Sequence, residues 1–162
     1  MYSLNSAPTA TWASGDTLPC SVGQITMDHQ GRVYRFCQAD AGGVTGAGYV
    51  CTIESSNTLD MIDTTNSAPG AEAGRQVGVA MAAIAASGYG WVCVLGRDVP
   101  VRVAASAAKG TLLNTTATAG QLDDDATAGA EQIVGIALTT ANGGSAGNAL
   151  ADVTWPTIGR TL

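Results

Sequence analysis

A chain of 162 residues can form one domain with its own core, burying roughly 70% of the surface that its unfolded form exposes. Only 12% of the residues are charged, while Ala, Gly, Val and Thr abound, which excludes a disordered chain. The formal charge is -6, and the seven Lys and Arg are scattered, so the basic footprint of nucleic-acid binding is missing.

The opening Met-Tyr-Ser-Leu-Asn-Ser-Ala-Pro has neither a basic n-region nor an apolar h-region. The longest nearly apolar stretch, 77–86, is far short of a spanning helix. The expectation is a protein made in a cytoplasm, with no membrane and no nucleic acid among its partners. Cys20, Cys37, Cys51 and Cys93 include no C-x-x-C pair, so a zinc ribbon and a thioredoxin-type motif are both excluded. The last three fall in predicted strands, where a reduced thiol behaves as a small buried hydrophobe. A disulfide stays open for a particle that meets an oxidising medium.

In chain order, residues 1–19 have no sustained period and are rich in Ser, Thr, Ala and Pro. They read as an extended N-terminal arm whose substantial anchors are Tyr2, Leu4 and Trp12. Trp12 either marks a contact with a partner or packs on its own domain. Residues 20–162 read as a single β-rich domain. Its first element is a hairpin, 25–27 and 32–38, turned by Gly31, with Tyr34 and Phe36 on the core side and Val33 and Cys37 competing for that role. The Gly-rich stretch 41–48 matches no phosphate-binding pattern and serves as a connection. A short strand follows at 49–53, then a long polar surface loop, 54–74. Leu59, Met61 and Ile62 tack this loop to the body and are candidate partner contacts.

Gln76-Val-Gly-Val-Ala-Met81 is echoed 57 residues later by Ile133-Val-Gly-Ile-Ala-Leu138, aligned on Val77 and Val134. A small-residue loop and a strand follow each copy. The densest apolar signal lies between them: Trp91 to Leu95 and Val99 to Ala104, read as two strands about a turn at Gly96, Arg97 and Asp98. Both faces of the first run are apolar, which places it inside the sheet system. In the second, Val99, Val101 and Val103 share one face and Pro100 and Arg102 the other. A short strand near 111–114 and another at Leu122 complete an all-β reading: a small antiparallel β-barrel or sandwich.

Chemistry is sparse. His29, the single histidine, lies in a turn beside Asp28 with no nucleophile motif near it. Asp123, Asp124 and Asp125 lack the spacing of a calcium loop and read as a solvated acidic turn, leaving a bound cation open. Lys109 lacks the flanking residues of a biotin or lipoate carrier. No catalytic residue, cofactor or metal ligand is assigned.

Gly90-Trp-Val-Cys-Val-Leu-Gly96, Val101-Arg-Val103, Lys109-Gly-Thr-Leu-Leu113, the two echo segments and the closing Ala151-Asp-Val-Thr-Trp155 together resemble the capsid decoration (cement) proteins of tailed bacteriophages. Asp28-His-Gln-Gly-Arg-Val-Tyr-Arg-Phe36 is similar to the opening strand pair of that group. The resemblance spans most of residues 20–156 and implies a β-rich homotrimer on the outer surface of a virion. It would bridge subunits of the major capsid protein at three-fold or quasi-three-fold positions. On that reading Trp91 and Trp155 are core or trimer-interface residues, and the arm grips a neighbour. The rival classes are a tail or receptor-binding module and a carrier or accessory domain of an enzyme.

Overall fold

The computed structural model describes residues 7–68, 75–125 and 128–161. Its ten strands are β1 (Ile25–Met27), β2 (Val33–Ala39), β3 (Val50–Ile53), β4 (Thr58–Met61), β5 (Gln76–Ala80), β6 (Tyr89–Val103), β7 (Leu113–Thr115), β8 (Leu122–Asp123), β9 (Glu131–Leu138) and β10 (Gly147–Thr161). All belong to one sheet, and the described residues contain no helix, so the all-β expectation stands.

The sheet closes on itself twice. In the first ring β2 pairs with β4, β4 with β3, β3 with β5, β5 with β6, and β6 with β2. In the second, β6 pairs with β8, β8 with β7, β7 with β9, β9 with β10, and β10 with β6. The order and directions match, including one parallel contact per ring, β2–β4 and β6–β8. The chain is therefore one five-stranded ring built twice, with β6 common to both. The echo copies occupy β5 and β9, the fourth strand of each ring. They belong to two rings, and not to successive hairpins of one.

The two-strand reading of 88–104 is corrected: β6 is one 15-residue strand. Its Gly96-Arg-Asp98 segment is a bulge, where β6 advances from Gly96 to Val99 while β10 moves only from Val153 to Ala151. Asp98 sits there at φ 50°, a left-handed conformation that Asp tolerates better than most residues. The Thr139 hydroxyl donates to Asp98 Oδ1 at 3.3 Å, and the Arg32 guanidinium donates to its carbonyl at 3.5 Å. The bulge bends β6 so that its first half closes the first ring and its second half opens the next.

The loop 54–74 is also corrected. It contains β4, and Leu59 and Ile62 are fully buried. Residues 69–74 lie outside the described residues. The short strand expected near 111–114 is β7, displaced by two residues at its start.

Each ring has its own filling. Cys37, Cys51, Ile53, Leu59, Ala80, Val92 and Val94, from all five strands, pack inside the first. There is no spare room: a Cβ on Gly78 would lie 2.9 Å from Val92 Cγ2 and 3.1 Å from Ile53 Cδ1. Val101, Val103, Leu113, Leu122, Ile133, Ile136 and Ala151 fill the second. Beyond its own kink, β10 pairs through Thr157 with both β9 and β5, so both sides of the strand are occupied there. Closure at this end explains how two units suffice where an open repeat array needs three.

Candidate partner-binding face

The first ring has an outer face, and the N-terminal segment covers it. Phe36, Trp91 and Cys93 point away from the ring interior, Trp12 packs on Phe36, and Leu18, Cys20 and Val22 pack against the larger apolar cluster to which these residues belong. Trp12 and Tyr89 exchange backbone hydrogen bonds of 3.0 and 2.8 Å. The Trp12 ring stands edge-on to Phe36, with centroids 5.3 Å apart, and Trp91 tilts against the same Phe36 at 4.9 Å. Such aromatic pairs add about 1 kcal/mol each beyond area burial. Of the two readings of Trp12, packing on its own domain is the one this contact set realises. Trp91 is core, at 4% exposure.

The second ring has a corresponding outer face that is covered at one end only, where Asn148 Nδ2 donates to the Ala47 carbonyl at 3.1 Å and the Arg102 guanidinium lies over the Tyr49 ring. Along β10, Ala149, Ala151 and Val153 face inward while Asn148, Leu150 and Thr154 alternate outward into solvent. Val134 and Ala137 of β9 are exposed beside them, as is Leu112 from the connection before β7. Leu112, Val134, Ala137 and Thr154 border a cleft of about 300 Å³. A second cleft of about 370 Å³, lined by Gln30, Leu95 and Arg97, shares Asp152 and Thr154 with it. Isolated exposed apolar residues are ordinary, whereas Leu112, Val134 and Ala137 stand together about one cleft.

Trp155 stands at the rim of this set, 44% exposed and at φ 48°. A bulky residue in the left-handed region costs on the order of 1–3 kcal/mol and persists only where its surroundings enforce it. They are visible here. Pro156 has no N–H to give the ladder, and the β10–β9 register jumps from Val153↔Ile136 to Thr157↔Val134. Across the jump Gly135, at φ 89°, lets the strands approach: a Cβ there would lie 2.7 Å from the Thr154 carbonyl oxygen. The kink at Trp155 falls 57 residues after the one at Asp98, the same spacing as the echo. What the first ring does with an aspartate to pass the strand on, the second does with a tryptophan turned to solvent.

The remaining candidates are distributed as follows. Tyr2 and Leu4 lie outside the described residues. Leu59 and Ile62 are buried in the body, so as partner contacts they are corrected. Met61 is half-buried and accepts a hydrogen bond from Thr45 through its sulfur at 3.5 Å. Trp155 is no core residue. Leu112, Val134, Leu150 and Asp152 were not singled out from sequence, although strict alternation of β10 about Ala149 and Ala151 was the signal that could have found Leu150.

The ionisable groups do structural work. Asp28 accepts hydrogen bonds from the Tyr34 hydroxyl at 2.8 Å and from the Arg32 and Gln30 backbone N–H at 2.9 Å. Burial opposes its charge, but these donors outweigh it and hold the carboxyl below its ordinary value. Burial and the same Asp28 push the Tyr34 hydroxyl well up. Cys37, Cys51 and Cys93 are free and buried; burial raises the Cys37 and Cys93 thiols to about 12. His29 is exposed in its turn. Asp124 accepts from the Ala108 N–H at 2.9 Å, tying the acidic turn to the loop after β6. No group of three or more His, Cys, Asp or Glu able to hold a metal ion occurs among the described residues. No described helix is long and apolar enough to cross a membrane.

No family model matches this chain, and no curated protein sequence matches it.

Proposed function

We propose that this protein is a structural virion protein of a tailed bacteriophage, seated on the outer capsid surface as a homotrimer that bridges major capsid subunits at three-fold or quasi-three-fold positions. The observation that carries the reading is the exposed part of the second ring's outer face, about Leu112, Val134 and Ala137. It is an apolar set on a rigid body, rimmed by a tryptophan that the backbone holds outward at an energetic cost. A cement needs stiffness, because a soft clip yields under internal pressure, and a doubly closed ring leaves few ways to yield. It also needs a contact surface that is cheap to desolvate, and a chain with 12% charged residues provides one. Repetition over the capsid lattice then turns modest individual contacts into firm retention. The resemblance to decoration proteins, carried by the Gly and apolar positions of both echo segments, supports the same assignment.

Cryo-electron microscopy of the particles that carry this chain tests the proposal. The expected result is double-ring density at the three-fold and quasi-three-fold positions, with a copy number set by the capsid lattice. Density confined to the tail, or a copy number unrelated to the lattice, would overturn it.

A further inference from the structure

The cleft on the second ring has a distinct chemistry. Five of its eleven lining residues are aliphatic, and Asp152 is the only ionisable side chain among them. The Asp152 Oδ1 is buried with no hydrogen-bond partner, and the nearest cation, Arg97 Nε, stands 3.8 Å away on a side chain 88% exposed. An ion pair so open to solvent contributes little, so this carboxylate has capacity for a better donor. The chain carries a net charge of -6, which favours a basic partner over an acidic one at every approach distance.

The form of the occupant follows from the fold. β9 pairs with β10 along its length but with β7 only at Gln132 and Ile133, and the Gly110 N–H donates to the Leu138 carbonyl, so the edge facing the cleft spans only residues 134–137 and offers little ladder to an added strand. With so short an edge, a partner lying on the face binds chiefly through side chains. The corresponding face of the first ring is covered in this way: an extended segment crosses it, makes one bridge at Tyr89 and sets a large side chain against Phe36.

We infer that the cleft of the second ring receives an extended segment of the partner bearing an aliphatic side chain, which lodges against Leu112, Val134 and Ala137, beside a lysine or arginine that pairs with Asp152. Naming the capsid subunit as the source of that segment rests on the function proposed above; the chemistry of the cleft does not.

The test uses the full chain, labelled with nitrogen-15, and two short blocked threonine-rich peptides. Each carries one valine and, two positions on, either arginine or glutamate. The arginine peptide at millimolar concentration is expected to shift amide signals of residues 110–112, 132–137 and 152–154, and the glutamate peptide to leave them in place. Asp152→Asn should weaken the arginine peptide about fivefold, as losing an exposed pair worth about 1 kcal/mol would do. Equal shifts from both peptides, shifts elsewhere, or no shifts would overturn the inference. Capsid retention measured in parallel separates the two claims. Peptide binding without capsid retention by the wild type removes the capsid as partner and keeps the cleft chemistry. Full capsid retention by an Asp152→Asn chain that has lost the peptide overturns the inference and keeps the capsid.

Discussion

The two rings share a topology, a strand and a sequence echo, yet they meet their surroundings differently. In the first, every residue from Gly90 to Val94 of β6 is buried, because one side fills the ring and the other lies under the N-terminal segment. In the second, the matching stretch of β10 alternates buried and exposed, and the exposed side carries Leu150 and leads to Trp155. A duplicated unit ought to need the same cover twice. Among the described residues only the first copy has it over its central strands, and the second face is the one on which the proposed partner contact rests.

The sharpest way to break this comparison is to exchange the roles of the two tryptophans. Trp12→Ala uncovers Phe36 and Trp91, and should cost about 3 kcal/mol in urea unfolding, the low end for a large aromatic because Trp12 is half-buried. Trp155→Ala should cost less than 0.5 kcal/mol, about the effect of an ordinary surface change. Equal losses would mean that the two faces do not differ in kind. Next in size is Gly135→Val, which forces a branched side chain into a left-handed position and onto the Thr154 carbonyl. A loss of about 2–3 kcal/mol is expected, read as a lower thermal midpoint. Trp155→Asn should go the other way, because Asn accepts the left-handed backbone; a gain of about 0.5–1 kcal/mol is expected by calorimetry.

The smallest effect distinguishes the turn at the first ring by pH. The Asp28 carboxyl is held below its ordinary value, so the stability it contributes is complete above about pH 4 and is lost as pH falls through the lowered value. Asp28→Asn should therefore be less stable than wild type at neutral pH, with the two unfolding midpoints converging as the pH falls through the lowered value. A constant difference across that range would show that the hydrogen bonds, and not the charge, carry the contribution.

Much of this was legible from residues. The β1–β2 hairpin was readable from Gly31 and the alternation after it, and the echo announced the repeat because β5 and β9 need the same Val-Gly-apolar-Ala order. The shared strand was not legible. Gly96-Arg-Asp98 has the composition of a turn, and only pairing with β10 on one side and β2 on the other makes it a bulge in a continuous strand. β4 was hidden for a related reason: four residues with one aspartate have little pattern of their own, and the strand exists through its partners β3 and β2. Trp155 read as core or seam only through the resemblance to decoration proteins. Its outward placement depends on Pro156 and Gly135, which lie on different strands and meet only in the fold.

The central claim is that the exposed part of the second ring's outer face is the gripping surface. On the proposed function, co-sedimentation of Trp155→Asn with phage capsids that retain the wild-type chain tests it most directly. The account predicts a folded protein, at least as heat-stable as wild type, whose capsid affinity falls about 30-fold, as removing a roughly 2 kcal/mol aromatic anchor requires. Undiminished capsid occupancy by that folded variant would contradict it.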